Sequence, residues 1–184
     1  MLYTGKGDDG TTKDFVSKPG ERKSKASCQT EALGALDEFN SFLGLVKVKS
    51  AGIDWQVGGK TPPEIIHWLQ NCLFIVQAEV AGADKHLDAG KVAELEKYTD
   101  EIEEMLPPIK TFFISGGTEL AALFDIARTL ARKAERRVVA GSVRDEFKAM
   151  NETLAFLNRL SSLLYALARL TNHKGGIKEE PPRY

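Results

Sequence analysis

The sequence predicts an all-α protein: a five-helix up-and-down bundle preceded by an irregular N-terminal arm. Three observations carry that prediction. Apolar residues recur at helical spacing in five separate segments. Helix start and stop signals bracket those segments. No segment alternates apolar and polar residues as a half-buried strand does, and no internal repeat or low-complexity run is present.

Each element follows in order. Residues 1–25 form a basic, glycine-bearing arm, residues 26–175 the bundle and residues 176–184 a tail, all within one domain. The first helix runs from near Ser27 to Lys49, with Leu33, Leu36, Asn40 and Leu43 on one stripe and Asp37 beside them. A carboxylate so close to an apolar face needs a partner. Residues 50–60, with three glycines, form a loop. Thr61-Pro62-Pro63-Glu64 starts the second helix, with Thr at the N-cap, Pro at N1 and Glu at N3. That helix places Ile65, Trp68, Leu69, Cys72, Ile75 and Val76 on one broad face and ends near Gly82. A third helix spans about Lys91 to Leu106 and stops at Pro107-Pro108. The fourth runs from Thr118 to Val139, with Leu120, Phe124, Ala127, Leu130, Ala131 and Ala134 inward. The fifth runs from about Glu146 to His173, with Leu154, Leu157, Leu160, Leu164, Leu167 and Leu170 inward and Gly175-Gly176 as its stop.

Composition bounds the function. The chain has 184 residues, enough for a real core in one domain. Its 42% hydrophobic and 28% charged content is that of a soluble globular protein. A net charge of −1 gives no bulk attraction to nucleic acid or an anionic membrane. No apolar run reaches membrane-span length, and no signal peptide is visible. Cys28 and Cys72 are the only cysteines, which fits a reducing cytoplasm and no disulfide framework. With these two cysteines and three scattered histidines, no metal site is expected of the side chains. Glu64-x-x-His67 has the form used in di-iron bundles, but no second copy exists, and His67 is expected at the surface.

The chemistry concentrates in three segments. Residues 127–139 read A-R-T-L-A-R-K-A-E-R-R-V-V, placing Arg128, Arg132 and Arg136 in one helical row. Like charges at i, i+4 repel, so such a row favours an anion facing it. Asp125 and Glu135 neutralise it in part at i, i+3 spacing, and a polyphosphate would complete the neutralisation. A solvated charged face is the other reading. Residues 3–13 read Y-T-G-K-G-D-D-G-T-T-K. Glycine-permitted turns there can form an anion-binding nest, flanked by threonine hydroxyls and by Lys6 and Lys13. Neither the Walker A spacing nor a dinucleotide fingerprint is present, and a flexible polar terminus is the alternative. The third segment, residues 31–44, is E-A-L-G-A-L-D-E-F-N-S-F-L-G around Asp37, which also reads as an ordinary exposed carboxylate.

Together these segments resemble the PduO-type ATP:cob(I)alamin adenosyltransferases. The resemblance rests on Y-T-x-x-G-D-x-G-T-T, then G-x-L-D-E-x-N-S, L-Q-N-x-L-F at residues 69–74 and F-x-x-x-G-G at residues 112–117. It closes with A-R-T-x-x-R-x-A-E-R-R and F-L-N-R-L-S at residues 156–161. The six occur in family order and span nearly the whole chain.

The resemblance implies a reaction in which the reduced cobalt of cob(I)alamin attacks the 5′ carbon of ATP. It implies ATP and a corrinoid as substrates, with Mg²⁺. It implies a homotrimer with active sites between subunits, a flavin-type reductase and an adenosylcobalamin-dependent enzyme as partners. By the same resemblance Thr4, Gly5, Lys6, Gly7, Thr12, Lys13 and Lys25 contact ATP. Arg132, Lys133, Glu135, Arg136 and Asn158 do so from the bundle. Asp37 pairs with Arg128 across a subunit boundary, and Phe112 displaces the lower axial base of the corrinoid, favouring four-coordinate Co(II). Arg128, Arg132, Asp37 and Phe112 are thus the catalytic candidates. Four positions depart from the family pattern: Lys133 for arginine, Asp125 for histidine, Ser162 for aspartate and Ser115 for proline. A non-catalytic ATP- or corrinoid-binding oligomer, a sensor or delivery protein, is the alternative function. Binding alone does not need Phe112 beside the arginine row.

Overall fold

The computed structural model describes residues 3–184; Met1 and Leu2 of the arm lie outside it. Five helices carry the fold: α1 Cys28–Lys49, α2 Pro62–Val80, α3 Ala89–Met105, α4 Glu119–Val143 and α5 Asn151–Lys174. No helix among the described residues is long and apolar enough to cross a membrane.

The starts are held by local chemistry. The Ser27, Asp88 and Thr118 side chains accept from the backbone N–H groups of Thr30, Lys91 and Ala121. Glu64 reaches back to accept from the Thr61 N–H at 2.8 Å and the Thr61 hydroxyl at 2.7 Å. Helix α3 begins two residues before the expected Lys91, because Asp88 takes the N-cap. Helix α4 continues four residues past the expected Val139.

Helix α5 starts at Asn151, five residues after the expected Glu146. Glu146 is engaged elsewhere: its carboxylate accepts from the Gln29 N–H at 2.9 Å. Asp145 turns the chain with φ +56°, and Phe147 folds onto Gly141, where a Cβ would meet its ring at 2.2 Å. The Met150 N–H then donates to the buried Glu79 carboxylate at 2.9 Å.

The arm is not wholly irregular. Thr11–Thr12 pairs antiparallel with Lys23–Ser24 as a two-residue ribbon, β1 and β2. This pairing is too short to leave an alternating pattern in the sequence.

The helices close around a core of Leu36, Phe39, Leu69, Phe124, Leu157 and Leu164, all fully buried. Helix α1 packs on α2 and α4, and α5 packs on α4 and α3. Trp68 of α2 meets Tyr98 of α3 edge-to-face at 5.5 Å. Helix α5 therefore lies between α3 and α4, and the connection from α3 to α4 runs along the C-terminal half of α5. Helices α1 and α4 are antiparallel, joined by Glu38–Lys133 at 2.5 Å, Glu31–Arg137 at 3.8 Å and Lys49–Glu119 at 2.7 Å.

Candidate functional site

The α4 arginine row divides by environment. Arg128 is half-buried. Its Nε donates to Asp125 at 3.2 Å, and its guanidinium lies 5.9 Å from the Tyr165 ring centroid. Arg132 and Arg136, one and two turns on, are exposed. The expected Asp125 pairing forms. Glu135 instead accepts from the Asn158 Nδ2 at 3.0 Å, which ties α4 to α5. Arg132 and Arg136 beside it are exposed and line one cavity with it.

Two cavities open on this face. One, of about 550 Å³, is lined by Phe112, Ser115, Arg128, Arg132, Ser162 and Tyr165, among others. The second, of about 500 Å³, is lined by Arg132, Glu135, Arg136, Arg144 and Asn158, with Val139, Ala140 and Val143. Arg132 belongs to both. One guanidinium thus stands between an aromatic chamber and a cationic one. Burial pushes the Tyr165 phenol pKa up, so the ring stays neutral beside Arg128. Phe112 is 81% exposed at the mouth of its chamber, so it is not a core residue.

The arm gathers its own set. Gly5 and Gly10 adopt φ +67° and +79°, turns that the glycine spacing anticipates. The Lys25 ammonium donates to the Gly7 carbonyl at 2.7 Å, and its N–H to the Gly10 carbonyl at 2.9 Å. Lys25 thus closes the loop that carries Thr4, Gly5, Lys6 and Gly7. Arg22 donates to the Thr11 carbonyl at 2.9 Å and to its hydroxyl. Asp14 is held to Lys23 at 2.5 Å and to the Ser17 hydroxyl at 2.5 Å. Burial raises the Asp14 pKa, but these two partners outweigh it and bring it down to about 2. Thr12 and Lys13 line a third cavity, of about 580 Å³, with Phe15, Leu33, Phe74 and Gln77 of the arm, α1 and α2.

Within one chain, then, Thr12 and Lys13 do not line the arginine cavities. Asp37 is exposed on α1 and makes no ion pair among the described residues, and Arg128 pairs with Asp125. Sequence reasoning did not single out Arg22, Asp14, Lys23, Arg144 or Tyr165. Their roles come from contacts or cavity walls shared with residues distant in sequence, and no local spacing signals them. No cluster of three or more His, Cys, Asp and Glu side chains is gathered for a metal among the described residues.

Residues 2–171 match the cobalamin adenosyltransferase family model. The chain belongs to the cobalamin adenosyltransferase family. It is 37% identical to a Bacillus subtilis corrinoid adenosyltransferase, over 96% of this chain and 89% of that one. It is 35% identical to the Citrobacter freundii corrinoid adenosyltransferase PduO, over 94% of this chain but only 50% of the longer relative. The human corrinoid adenosyltransferase is 33% identical, with 97% and 72% covered. A solved variant of the Lactobacillus reuteri PduO-type ATP:corrinoid adenosyltransferase, complexed with cobalamin and ATP, superposes with a TM-score of 0.85. It is 26% identical, with 100% of each chain covered.

Of the four positions expected to depart from the family pattern, two line the Phe112 chamber and two do not. Lys133 turns toward α1 and pairs with Glu38, so it does not line the cavity of Arg132 and Arg136. Asp125 serves Arg128, and Ser115 and Ser162 line the Phe112 chamber. Neither Arg132 nor Arg136 is among the altered positions.

Proposed function

We propose that this corrinoid adenosyltransferase transfers the 5′-deoxyadenosyl group of ATP to the cobalt of cob(I)alamin, giving adenosylcobalamin and tripolyphosphate. The observation that carries the reading is Arg132, which borders both the aromatic and the cationic chamber. The cobalt electron pair forms the bond to C5′, the C5′–O bond breaks, and tripolyphosphate departs with the C5′–O bonding pair. Since the nucleophile is the corrinoid's own, the protein supplies orientation and electrostatics.

Arg132 and Arg136 hold the triphosphate and stabilise the charge that grows on it. Lys6, Gly7, Thr12 and Lys13 close over ATP from the arm, with Thr4 and Gly5 shaping the turn. Asn158 holds Glu135 in place beside them. Mg²⁺ travels with the triphosphate, since phosphate oxygens are its preferred ligands and Glu135 is the carboxylate lining the cationic cavity. Phe112, exposed on the wall of its chamber, displaces the lower base of the corrinoid.

Two features of the chain fit a homotrimer with active sites between subunits. Asp37 makes no ion pair among the described residues, and Thr12 and Lys13 line a cavity apart from the arginine row. Head-to-tail assembly sets Asp37 against Arg128 and the arm against α4 of the next subunit. A flavin-type reductase supplies the electron that makes cob(I)alamin, and an adenosylcobalamin-dependent enzyme takes the product. The cytoplasm, with its ATP and reducing thiol pool, is the matching compartment. A purely corrinoid-binding sensor would not need the leaving group matched by Arg132 and Arg136.

The test is one anaerobic assay with reduced cobalamin, ATP and Mg²⁺. Loss of the cob(I)alamin absorbance with release of tripolyphosphate is expected. Well-folded protein that binds both substrates and consumes neither would establish the sensor reading instead.

A further inference from the structure

Residues 107–117 connect α3 to α4 and carry Phe112 at their tip. A loop with an aromatic 81% exposed needs an external hold to keep that ring in one place. The hold comes from α5 and from the C-terminal tail. Arg169 of α5 is 5% exposed, and its guanidinium forks onto the Glu179 carboxylate with three contacts of 2.9–3.0 Å. Its Nη2 also donates to the Pro107 carbonyl at 3.1 Å. The same guanidinium lies 5.3 Å from the ring centroid of Phe113, the neighbour of Phe112. Beyond Phe112, the Ile114 N–H donates to the Glu180 carbonyl at 2.9 Å. The loop is therefore pinned just before and just after its tip, and Glu179 and Glu180 take part on the tail side.

We infer that Arg169, with Glu179 and the tail it anchors, is a positioning device that sets Phe112 at the corrinoid chamber. The inference rests on the adenosyl-transfer reading above. Arg169 lies one helical turn beyond Tyr165, which lines that chamber, but does not line it itself. It acts through Pro107 and Phe113. A guanidinium suits the task because its planar fork serves a carboxylate and a carbonyl at once while its face meets an aromatic ring. Lysine has the charge but not the fork.

Glu179→Ala tests this, with loss of the fork. It leaves Arg169 buried and unpaired, which can destabilise the fold. The double variant Arg169→Met/Glu179→Met removes both charges together and leaves no orphan ion. Each is assayed with cobalamin and with cobinamide, which has no lower nucleotide base to displace. Turnover with cobalamin is expected to fall roughly tenfold or more, because small misplacements of reacting groups carry large rate costs. Turnover with cobinamide and the KM for ATP are expected to stay within about twofold. The four-coordinate Co(II) signature with ATP is expected to weaken, and hydrogen exchange at Ile114 to quicken. A purely structural role would lower both corrinoid activities alike. Equal losses with the two corrinoids, or an unchanged Co(II) spectrum and Ile114 exchange, would overturn the positioning role. Wild-type protein without any turnover would defeat the adenosyl-transfer reading first, and this inference with it.

Discussion

The Asn172 carboxamide lies so close to Gly117 that a Cβ there would fall 2.4 Å from its Oδ1. That same oxygen accepts from the Thr118 N–H at 3.0 Å, and the Asn172 Nδ2 donates to the Gly116 carbonyl at 2.8 Å. One side chain of α5 thus stitches the turn that leads into α4. Gly117 has φ +102°, in the region where a side chain adds strain. Gly117→Ala is expected to lose about 1–3 kcal/mol of stability from backbone strain alone. Denaturant unfolding measures it, and a variant as stable as the wild type would show that the turn relaxes freely.

Asp37→Ala and Arg128→Ala are each expected to lower activity and to weaken the proposed trimer. Removing one partner of a buried pair typically costs about 3–5 kcal/mol. If the two meet across the interface, their effects are less than additive in a double-mutant cycle. Light scattering at micromolar concentration reports assembly, and a wild-type monomer there would remove the intersubunit pair.

Arg132→Ala is expected to lower kcat about 10²- to 10³-fold if the guanidinium meets the developing charge of the leaving group. Lys133→Ala makes the contrast. Its ammonium serves Glu38 at an exposed pair, so its loss is expected to change stability by under about 1 kcal/mol. Steady-state kinetics with varied ATP separates the two. An equal loss of activity in both variants would contradict the placement of Lys133.

Phe112→Ala is expected to leave the fold intact, since the ring is 81% exposed and a core truncation penalty does not arise. The variant binds ATP normally and fails with cob(II)alamin, while cobinamide recovers part of the activity. The spectrum of bound Co(II) with ATP is the measurement. A wild-type four-coordinate signature in the variant would sink the role of this ring.

The arm carries a pH dependence of defined sign. Asp14 has its pKa lowered from 3.8 to about 2 in the fold, so its ion pair stabilises the arm fully above pH 3.8. The contribution fades as pH falls from 3.8 toward about 2. The advantage of wild type over Asp14→Asn in arm protection is expected to shrink across that window. Hydrogen exchange of residues 11–24 at several pH values checks it, and a constant difference between pH 5 and the lower limit, about 2, would refute the pairing.

Much of the bundle was legible in the sequence because its signals are local. Ser27 and Thr118 cap helices with their own side chains, Glu64 reaches back to Thr61, and Pro107-Pro108 follows a helix end by lacking donors. The leucine stripe of α5 needs only the helical period. Where a start depends on distant contacts, the expectation failed. Helix α5 begins late because Glu146 serves Gln29 on α1 and Met150 serves Glu79 on α2.

The sequence by itself determined the helices, the arginine row on α4 and the glycine turns of the arm, because each follows from backbone geometry within a few residues. Only the tertiary structure decided which groups share a space. It put Arg132 between two chambers and turned Lys133 to Glu38 one residue on, since successive helix positions point about 100° apart. It left Asp37 without an ion pair among the described residues and brought Glu179 of the tail onto Arg169 beneath the Phe112 loop. Those placements depend on how faces of separate helices close on one another, and packing between distant segments leaves no period in the sequence to read.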